Sequence, residues 1–240
     1  MCGIAGYVKS ADYEISATDI NWTLRALEER GRDATGIAWL RNNKEFYVLK
    51  APSTASEFIE LPEFKANMDE ILKSCTVLFH TRLAVHGVPE DNTNNHPIFN
   101  TRGMIIHNGV VSLSEKFLSI GKTDTEQMML CIQKYGLKKG LSKINGSASI
   151  AYFDFKSGGL YLFSRFTPLV YARKEGLTVF GSTANVLYQG FLIPEEQVKS
   201  LRKDRIFKIE EDGRLFKYAK VKRENNYSTH YFYTSDRCWD

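Results

Sequence analysis

Residues 1–9, MCGIAGYVK, carry the pattern on which the fold prediction depends. The run that starts at Gly3 is apolar and rich in residues that favour strands, so it predicts a first β-strand. A cysteine stands directly before that strand. If Met1 is removed, Cys2 carries a nucleophilic thiol and a basic α-amine on a single residue.

The remaining chain alternates between clusters of strands and separate helical segments. Helical spacing is present in residues 17–29, 56–74 and 123–136, where Thr18 or Asp19 could cap the first helix and Pro62 interrupts the second. Trp22, Leu24 and Leu27 could share one face of the first helix. Strand-like runs occupy residues 36–40, 45–50, 75–82, 103–109, 147–155, 159–165, 168–174 and 177–182.

A hairpin is predicted over residues 205–220, with Asp212-Gly213 as its turn. The polar composition of residues 86–97 predicts a long loop. The clustering of strands and helices indicates α+β layers and argues against a doubly wound parallel sheet.

The amino-acid composition limits the classes of protein to which this chain can belong. The chain has 240 residues, 43% of them apolar and 25% charged, with a formal net charge of +4, which fits one globular domain. Its four cysteines are far apart and show no metal-ligand spacing, which is typical of a reducing compartment. We see no signal peptide, no membrane-length apolar run and no nucleic-acid motif, so we expect a cytoplasmic protein without membrane or nucleic-acid partners.

Four short polar segments stand at the ends of predicted strands or helices. Taken singly, each is more typical of a turn, a surface cation or a helix cap than of a functional site. They are Arg30-Gly31-Arg32-Asp33, His80-Thr81-Arg82, His107-Asn108-Gly109 and Thr123-Asp124-Thr125-Glu126.

In this order after Cys2, these segments resemble the class II glutamine amidotransferase domain, an N-terminal-nucleophile hydrolase, in the branch found in glucosamine-6-phosphate synthase. The matching pieces are MCGIAGY, LEERGRDATGIA, FHTRLAVHG, NNHP, IIHNGVV and KTDTEQ. The resemblance implies an α+β fold, a four-layer αββα sandwich of two stacked antiparallel sheets. We expect this domain to span residues 2–222, followed by a C-terminal tail at 223–240.

The resemblance also implies a role for each matching residue. The Cys2 thiol would attack the glutamine side-chain amide, with the Cys2 α-amine, whose ordinary pKa is about 8, as general base. No histidine is then needed as a catalytic base. The implied set is Cys2, Asn108 and Gly109 for catalysis, Arg82, His86 and Asp124 for substrate binding, and Arg30 and Gly31 as supporting residues.

Chemistry agrees with these implied roles. The Asn108 side chain and the Gly109 N–H would bind the oxyanion, Arg82 the α-carboxylate and Asp124 the α-ammonium of glutamine. His86 could contribute through its backbone. The resemblance implies no metal and no organic cofactor.

One position departs from the resembled pattern. Val85 stands where close relatives have a threonine that can bind the glutamine carboxylate. The loss of one hydrogen bond to a charged group costs roughly 1.5–3 kcal/mol. Val85 therefore bears on substrate affinity or identity, and not on the nucleophile.

Three functions are open at this point. The sequence contains no sugar-isomerase domain, phosphoribosyl-binding motif or P-loop. We expect a glutaminase that releases glutamate and passes ammonia to a separate synthase partner. The alternatives are a standalone hydrolase of another γ-glutamyl amide and a catalytically silent binding module of the same fold.

Overall fold

Two antiparallel sheets lie face to face in the computed structural model, which describes residues 1–41, 45–84, 87–117 and 123–224. The strands are β1 (Gly3–Lys9), β2 (Ala34–Leu40), β3 (Phe46–Ala51), β4 (Thr76–Arg82), β5 (Ile98–Asn100), β6 (Gly103–Ser112), β7 (Asn145–Asp154), β8 (Gly159–Arg165), β9 (Val170–Lys174), β10 (Leu177–Gly181), β11 (Lys199–Ser200), β12 (Arg205–Ile209) and β13 (Leu215–Lys220). The first sheet has the order β11-β9-β10-β1-β4-β2-β3, and the second has the order β13-β12-β8-β7-β6-β5.

Helices cover the outer face of each sheet. They are α1 (Ala17–Glu28), α2 (Ala55–Phe58), α3 (Pro62–Ala66), α4 (Met68–Lys73), α5 (Asp124–Tyr135), α6 (Leu137–Ser142) and α7 (Ala184–Phe191), with a 3₁₀ turn at Glu195–Gln197. Within the described residues, α1, α2, α3, α4 and α7 pack on the first sheet, and α5 and α6 pack on the second.

Three apolar cores separate the four layers. Ile20 and Leu24 of α1 pack against Tyr7 of the first sheet in the outer core on that side. A second core lies between the sheets, a third lies between the second sheet and α5, and side chains from both flanking layers form each of them. The predicted four-layer αββα sandwich is therefore confirmed.

The central strand β1 is buried over its whole length. Ile4 and Val8 point into the core between the sheets, whereas Ala5 and Tyr7 point toward the helices. Because both faces of the strand are covered, its sequence is apolar from Gly3 to Val8 instead of alternating.

The start of α1 corrects one local prediction. Ser16, not Thr18 or Asp19, is the N-cap, and its Oγ accepts a hydrogen bond from Asp19 N at 3.2 Å while Ser16 N donates to Asp19 Oδ2 at 2.8 Å. This reciprocal pair is a capping box, in which the acid stands three residues after the cap.

The predicted apolar face of α1 was wrong at Trp22, which is 49% exposed. The buried face runs through Ile20, Thr23, Leu24 and Leu27, which follow the i, i+3, i+4, i+7 spacing. Leu24 and Leu27 lie on this buried face as predicted. The third predicted member, Trp22, does not, and the polar Thr23 is buried there instead.

Other predictions hold with changed bounds. Pro62 interrupts the second helical segment by starting α3, and Gly213 has a φ of +78° in the predicted hairpin turn. The short strand β5 and the helix α6 were not predicted. The predicted tail lies outside the described residues from 225 onward, as do residues 42–44 between two of the predicted strands.

The part of the chain that the structure describes contains no helix long and apolar enough to cross a membrane.

Candidate active site

The ends of β1 and β4, the middle of β6 and the start of α5 meet at one edge of the sandwich. A cavity of about 220 Å³ opens there. Five of the predicted site residues line this cavity, namely Cys2, Arg82, Asn108, Gly109 and Asp124. The structure therefore brings together side chains that are more than 120 positions apart in the sequence.

Cys2 is half-buried directly before β1. Its Sγ lies 3.7 Å from the Leu83 carbonyl oxygen. Burial raises the pKa of the Cys2 thiol, and the Asp124 carboxylate acts in the same direction, whereas the Arg82 guanidinium lowers it. A thiol with a raised pKa is protonated at neutral pH and needs a base before it can act as a nucleophile.

Met1 also lines the cavity, so the α-nitrogen of Cys2 is part of a peptide bond in this structure. An amide nitrogen is not a base. The Cys2 α-nitrogen can become one only when it is a free amine.

Arg30 and Gly31 lie behind the nucleophile, in the turn that follows α1. The Arg30 Nε donates a hydrogen bond to the Cys2 carbonyl oxygen at 3.1 Å. A Cβ at Gly31 would stand 2.4 Å from the Arg82 carbonyl carbon, so only glycine permits this approach of the two backbones. The turn therefore contacts both Cys2 and Arg82 without lining the cavity.

Arg82 is the last residue of β4, and its side chain is held by the loop that follows. Its Nη1 donates to Asn95 Oδ1 at 2.7 Å, and its Nη2 donates to the Gly87 carbonyl oxygen at 3.1 Å. The Asp33 Oδ2 accepts from Ala84 N at 2.6 Å and fixes the backbone just beyond. A guanidinium held in this way offers a fixed cation to an anionic group in the cavity.

Asn95 organises that loop. It belongs to the NNHP piece of the resemblance, but it was assigned no role from the sequence. The Asn95 Nδ2 donates to the Pro89 carbonyl oxygen at 2.6 Å and to Asn92 Oδ1 at 2.9 Å, while the Asn95 Oδ1 faces Arg82. Asn95 is 1% exposed, and these contacts with the loop and with Arg82 define its role.

Asn108 and Gly109 lie in β6, paired with β7. Asn108 is 2% exposed, and its Nδ2 finds no acceptor among the described residues. A buried donor without a partner costs about 1–3 kcal/mol, so it needs an explanation such as a ligand oxygen. Gly109 has a φ of +142°, and a Cβ there would lie 2.0 Å from the Ser147 carbonyl oxygen, which excludes any side chain.

Asp124 is the first residue of α5, which the Thr123 side chain caps. Its Oδ2 accepts a hydrogen bond from Val111 N at 2.8 Å, and its Oδ1 accepts one from Thr125 Oγ1 at 3.4 Å. These contacts fix a carboxylate on the cavity wall opposite the strand ends, where it can bind a cation.

Three histidines form a buried cluster that the sequence did not predict, and two of them, His96 and His107, line the cavity. His80 and His96 stack with ring centroids 4.1 Å apart, and His80 Nε2 lies 3.1 Å from the His107 carbonyl oxygen. Burial lowers the pKa of His80 to about 3 and also lowers the pKa values of His96 and His107. The rings are therefore neutral at pH 7 and act as hydrogen-bonding groups.

The predicted binding residue His86 and the departure at Val85 lie outside the described residues. The other predicted positions are either on the cavity wall or, for Arg30 and Gly31, directly behind it.

Comparison with known proteins places this arrangement in a family. The profile of the class-II glutamine amidotransferases matches residues 1–145. The chain is 32% identical over 211 residues to the glutamine–fructose-6-phosphate aminotransferase (isomerizing) of Sulfolobus acidocaldarius, covering 83% of this chain and 33% of that protein. The protein of the same name from Oceanobacillus iheyensis is 31% identical over 204 residues, covering 77% of this chain and 32% of its own length.

The chain thus spans about a third of the length of these curated relatives. Among solved structures, the glutamine phosphoribosylpyrophosphate amidotransferase from B. subtilis superimposes with a TM-score of 0.66 at 17% identity, covering 91% of this chain and 49% of that one. At that identity the likeness shows a shared fold.

Proposed function

We propose that this chain, which belongs to the class-II glutamine amidotransferase family, cleaves the side-chain amide of L-glutamine through a thioester on Cys2. The observation that carries the proposal is the convergence on one cavity of a thiol, an unpartnered amide donor, a fixed guanidinium and a fixed carboxylate. Each of these groups is complementary to a different part of glutamine.

The first step requires a free N-terminal cysteine. We propose that removal of Met1 exposes the α-amine of Cys2, which then accepts the thiol proton. Because burial keeps the thiol protonated, a base on the same residue is the simplest way to activate it. Arg30 supports this step by holding the Cys2 carbonyl oxygen and hence the orientation of the residue.

The thiolate would then attack the amide carbon of glutamine. The oxyanion that forms would accept hydrogen bonds from Asn108 Nδ2 and the Gly109 N–H, and collapse of this intermediate would expel ammonia and leave a γ-glutamyl thioester. Water then hydrolyses the thioester and releases glutamate. Loss of one oxyanion donor typically lowers the rate by about 100- to 1000-fold.

The amino-acid end of glutamine would be recognised by opposite charges. The Arg82 guanidinium suits the α-carboxylate and the Asp124 carboxylate suits the α-ammonium. His86 is proposed to add a backbone contact near the carboxylate. We assign this machinery to a domain that spans residues 2–222.

The acceptor of the ammonia is proposed to be a synthase partner. The names of the relatives describe aminotransferases that act on glutamine and fructose 6-phosphate, and these proteins are about three times as long as the segment that this chain matches. We propose that transfer of the ammonia to this partner follows hydrolysis here. The departure at Val85 favours one second candidate, a hydrolase that acts on a different γ-glutamyl amide.

The test combines intact mass with glutamate release from L-glutamine on one purified sample. We expect a mass that lacks Met1 and turnover that disappears in Cys2→Ala. Cys75→Ala is the matched control, since it removes another half-buried thiol and should retain turnover. A processed chain that releases no glutamate, alone or with a candidate synthase, would refute L-glutamine as the substrate, and release of product from another γ-glutamyl amide would support the second candidate.

A further inference from the structure

Thr125 is a buried residue at the centre of a polar cluster in the cavity wall. It is 1% exposed, and its Oγ1 lies 2.9 Å from His96 Nε2 and 3.0 Å from His107 Nδ1. The same hydroxyl donates toward Asp124 Oδ1 at 3.4 Å. One oxygen atom therefore contacts three polar groups from three separate segments of the chain.

Two of those contacts lead directly to residues that we assign to glutamine. His107 precedes Asn108, the proposed oxyanion donor, in β6. Asp124, the proposed ligand of the α-ammonium, precedes Thr125 in α5. The Thr125 hydroxyl thus connects the strand that carries the oxyanion donor to the helix that carries the carboxylate.

The third contact leads toward the proposed carboxylate site. His96 follows Asn95, whose Oδ1 accepts the hydrogen bond from Arg82 Nη1 at 2.7 Å. The His96 ring is held on one side by Thr125 and on the other by stacking on His80. Displacement of His96 would therefore also displace the residue that orients the guanidinium.

A hydroxyl suits this position because it can donate one hydrogen bond and accept two. Each neutral imidazole offers one N–H and one acceptor nitrogen. Because the hydroxyl donates its single hydrogen toward Asp124 Oδ1, it serves both rings as an acceptor, with the protons on His96 Nε2 and His107 Nδ1. A valine has nearly the same shape and can do neither. It would leave His96 Nε2 and His107 Nδ1 buried without a partner.

We propose that Thr125 is a positioning residue, whose hydroxyl sets the placement of Asn108 and Asp124 relative to each other. The inference rests on the proposed function, because those two residues are the ones assigned to the oxyanion and to the α-ammonium. The hydroxyl itself takes no part in bond making or breaking.

The test compares Thr125→Val with Thr125→Ser by kinetics with L-glutamine. Thr125→Val should lower kcat/KM by roughly 10- to 100-fold, with kcat reduced and KM raised, because the oxyanion donor and the ammonium ligand move together. Thr125→Ser keeps the hydroxyl and should restore activity to within a few-fold of wild type.

Thr23→Val is the matched control. Thr23 is fully buried in α1 and does not line the cavity, and its Oγ1 donates to the Asp19 carbonyl oxygen at 2.7 Å. This variant loses an equivalent buried hydroxyl and should keep wild-type kcat and KM. Equal kinetics for Thr125→Val and wild type, or an equal loss in Thr125→Ser and Thr125→Val, would overturn the proposal.

A second readout separates this inference from the proposed function. Histidine ring ¹⁵N chemical shifts report the hydrogen bonds at His96 and His107 whether or not the protein turns over glutamine. We expect both rings to shift in Thr125→Val and to return in Thr125→Ser. Absence of glutamine turnover in wild type would refute the proposed function, whereas unchanged ring shifts in Thr125→Val would refute the hydroxyl bridge.

Discussion

The unpartnered amide of Asn108 predicts a variant that gains stability as it loses activity. Asn108→Ala removes a side-chain donor that has no acceptor among the described residues and that is 2% exposed. Leaving such a group buried costs about 1–3 kcal/mol. The truncated side chain would widen a cavity that is already open. We therefore take the lower end of this energy range and expect the free energy of unfolding to rise by about 1 kcal/mol.

The same change should remove one of the two oxyanion donors. We expect kcat for glutamine hydrolysis to fall by about 100- to 1000-fold, which corresponds to about 2.7–4 kcal/mol of transition-state stabilisation. Stability is measured by urea unfolding and by Tm. A gain of 1 kcal/mol should raise Tm by about 2–4 °C in a chain of this size.

Asn100→Ala is the control for this pair of effects. The Asn100 Nδ2 donates to Gln133 Oε1 at 3.0 Å, and its Oδ1 accepts from Arg102 N at 2.9 Å, so this amide is paired and lies outside the cavity lining. Its loss should reduce stability and leave kcat unchanged. If Asn108→Ala were the less stable of the two variants, or kept kcat within tenfold of wild type, the assignment of Asn108 would be refuted.

Three further outcomes follow from the site. Asp124→Asn should lower kcat/KM for L-glutamine by roughly 10- to 100-fold, since a hydrogen bond to a charged group contributes about 1.5–3 kcal/mol. The same variant should leave kcat/KM for glutaramate unchanged, because glutaramate lacks the α-ammonium. An equal loss with both substrates would contradict the assignment. Val85→Thr should lower KM for glutamine by about tenfold if glutamine is the substrate, and an unchanged KM would favour another amide. Burial lowers the pKa of His80 to about 3 and holds the pKa values of His96 and His107 below their usual value of about 6.5. At pH values between the folded and the unfolded pKa of these histidines, the unfolded chain therefore binds more protons than the folded chain. The free energy of unfolding should therefore level off above about pH 7.5 and fall by about 1 kcal/mol per histidine between pH 7.5 and 5.5. Urea unfolding that gives equal stability at the two pH values would contradict the neutral cluster.

The layered fold was predictable from the sequence because its elements have local signals. The apolar run of β1, the Asp212-Gly213 turn and the Thr123 cap each depend on a few adjacent residues. Trp22 shows where such reasoning fails. Helical spacing alone cannot tell which side of α1 meets the sheet, and Thr23 is buried there while the indole is exposed.

The site was predictable only where a resemblance supplied the residues. Cys2, Arg82 and Asp124 belong to distinct motifs, and the structure places all three on one cavity. Asn95 and Thr125 were missed because their importance comes from contacts with distant segments. Nothing in the sequence around Thr125 indicates that His96 and His107 both point at its hydroxyl.

The most direct test of the central claim is to trap the covalent intermediate. The processed protein is mixed with L-glutamine, quenched in acid within the turnover time and digested, and the N-terminal peptide is weighed by mass spectrometry. The account predicts that this peptide carries one glutamyl group on Cys2, labile to hydroxylamine as a thioester should be. Turnover of glutamine by a Cys2→Ala chain, or a glutamyl group attached at any other residue, would contradict it.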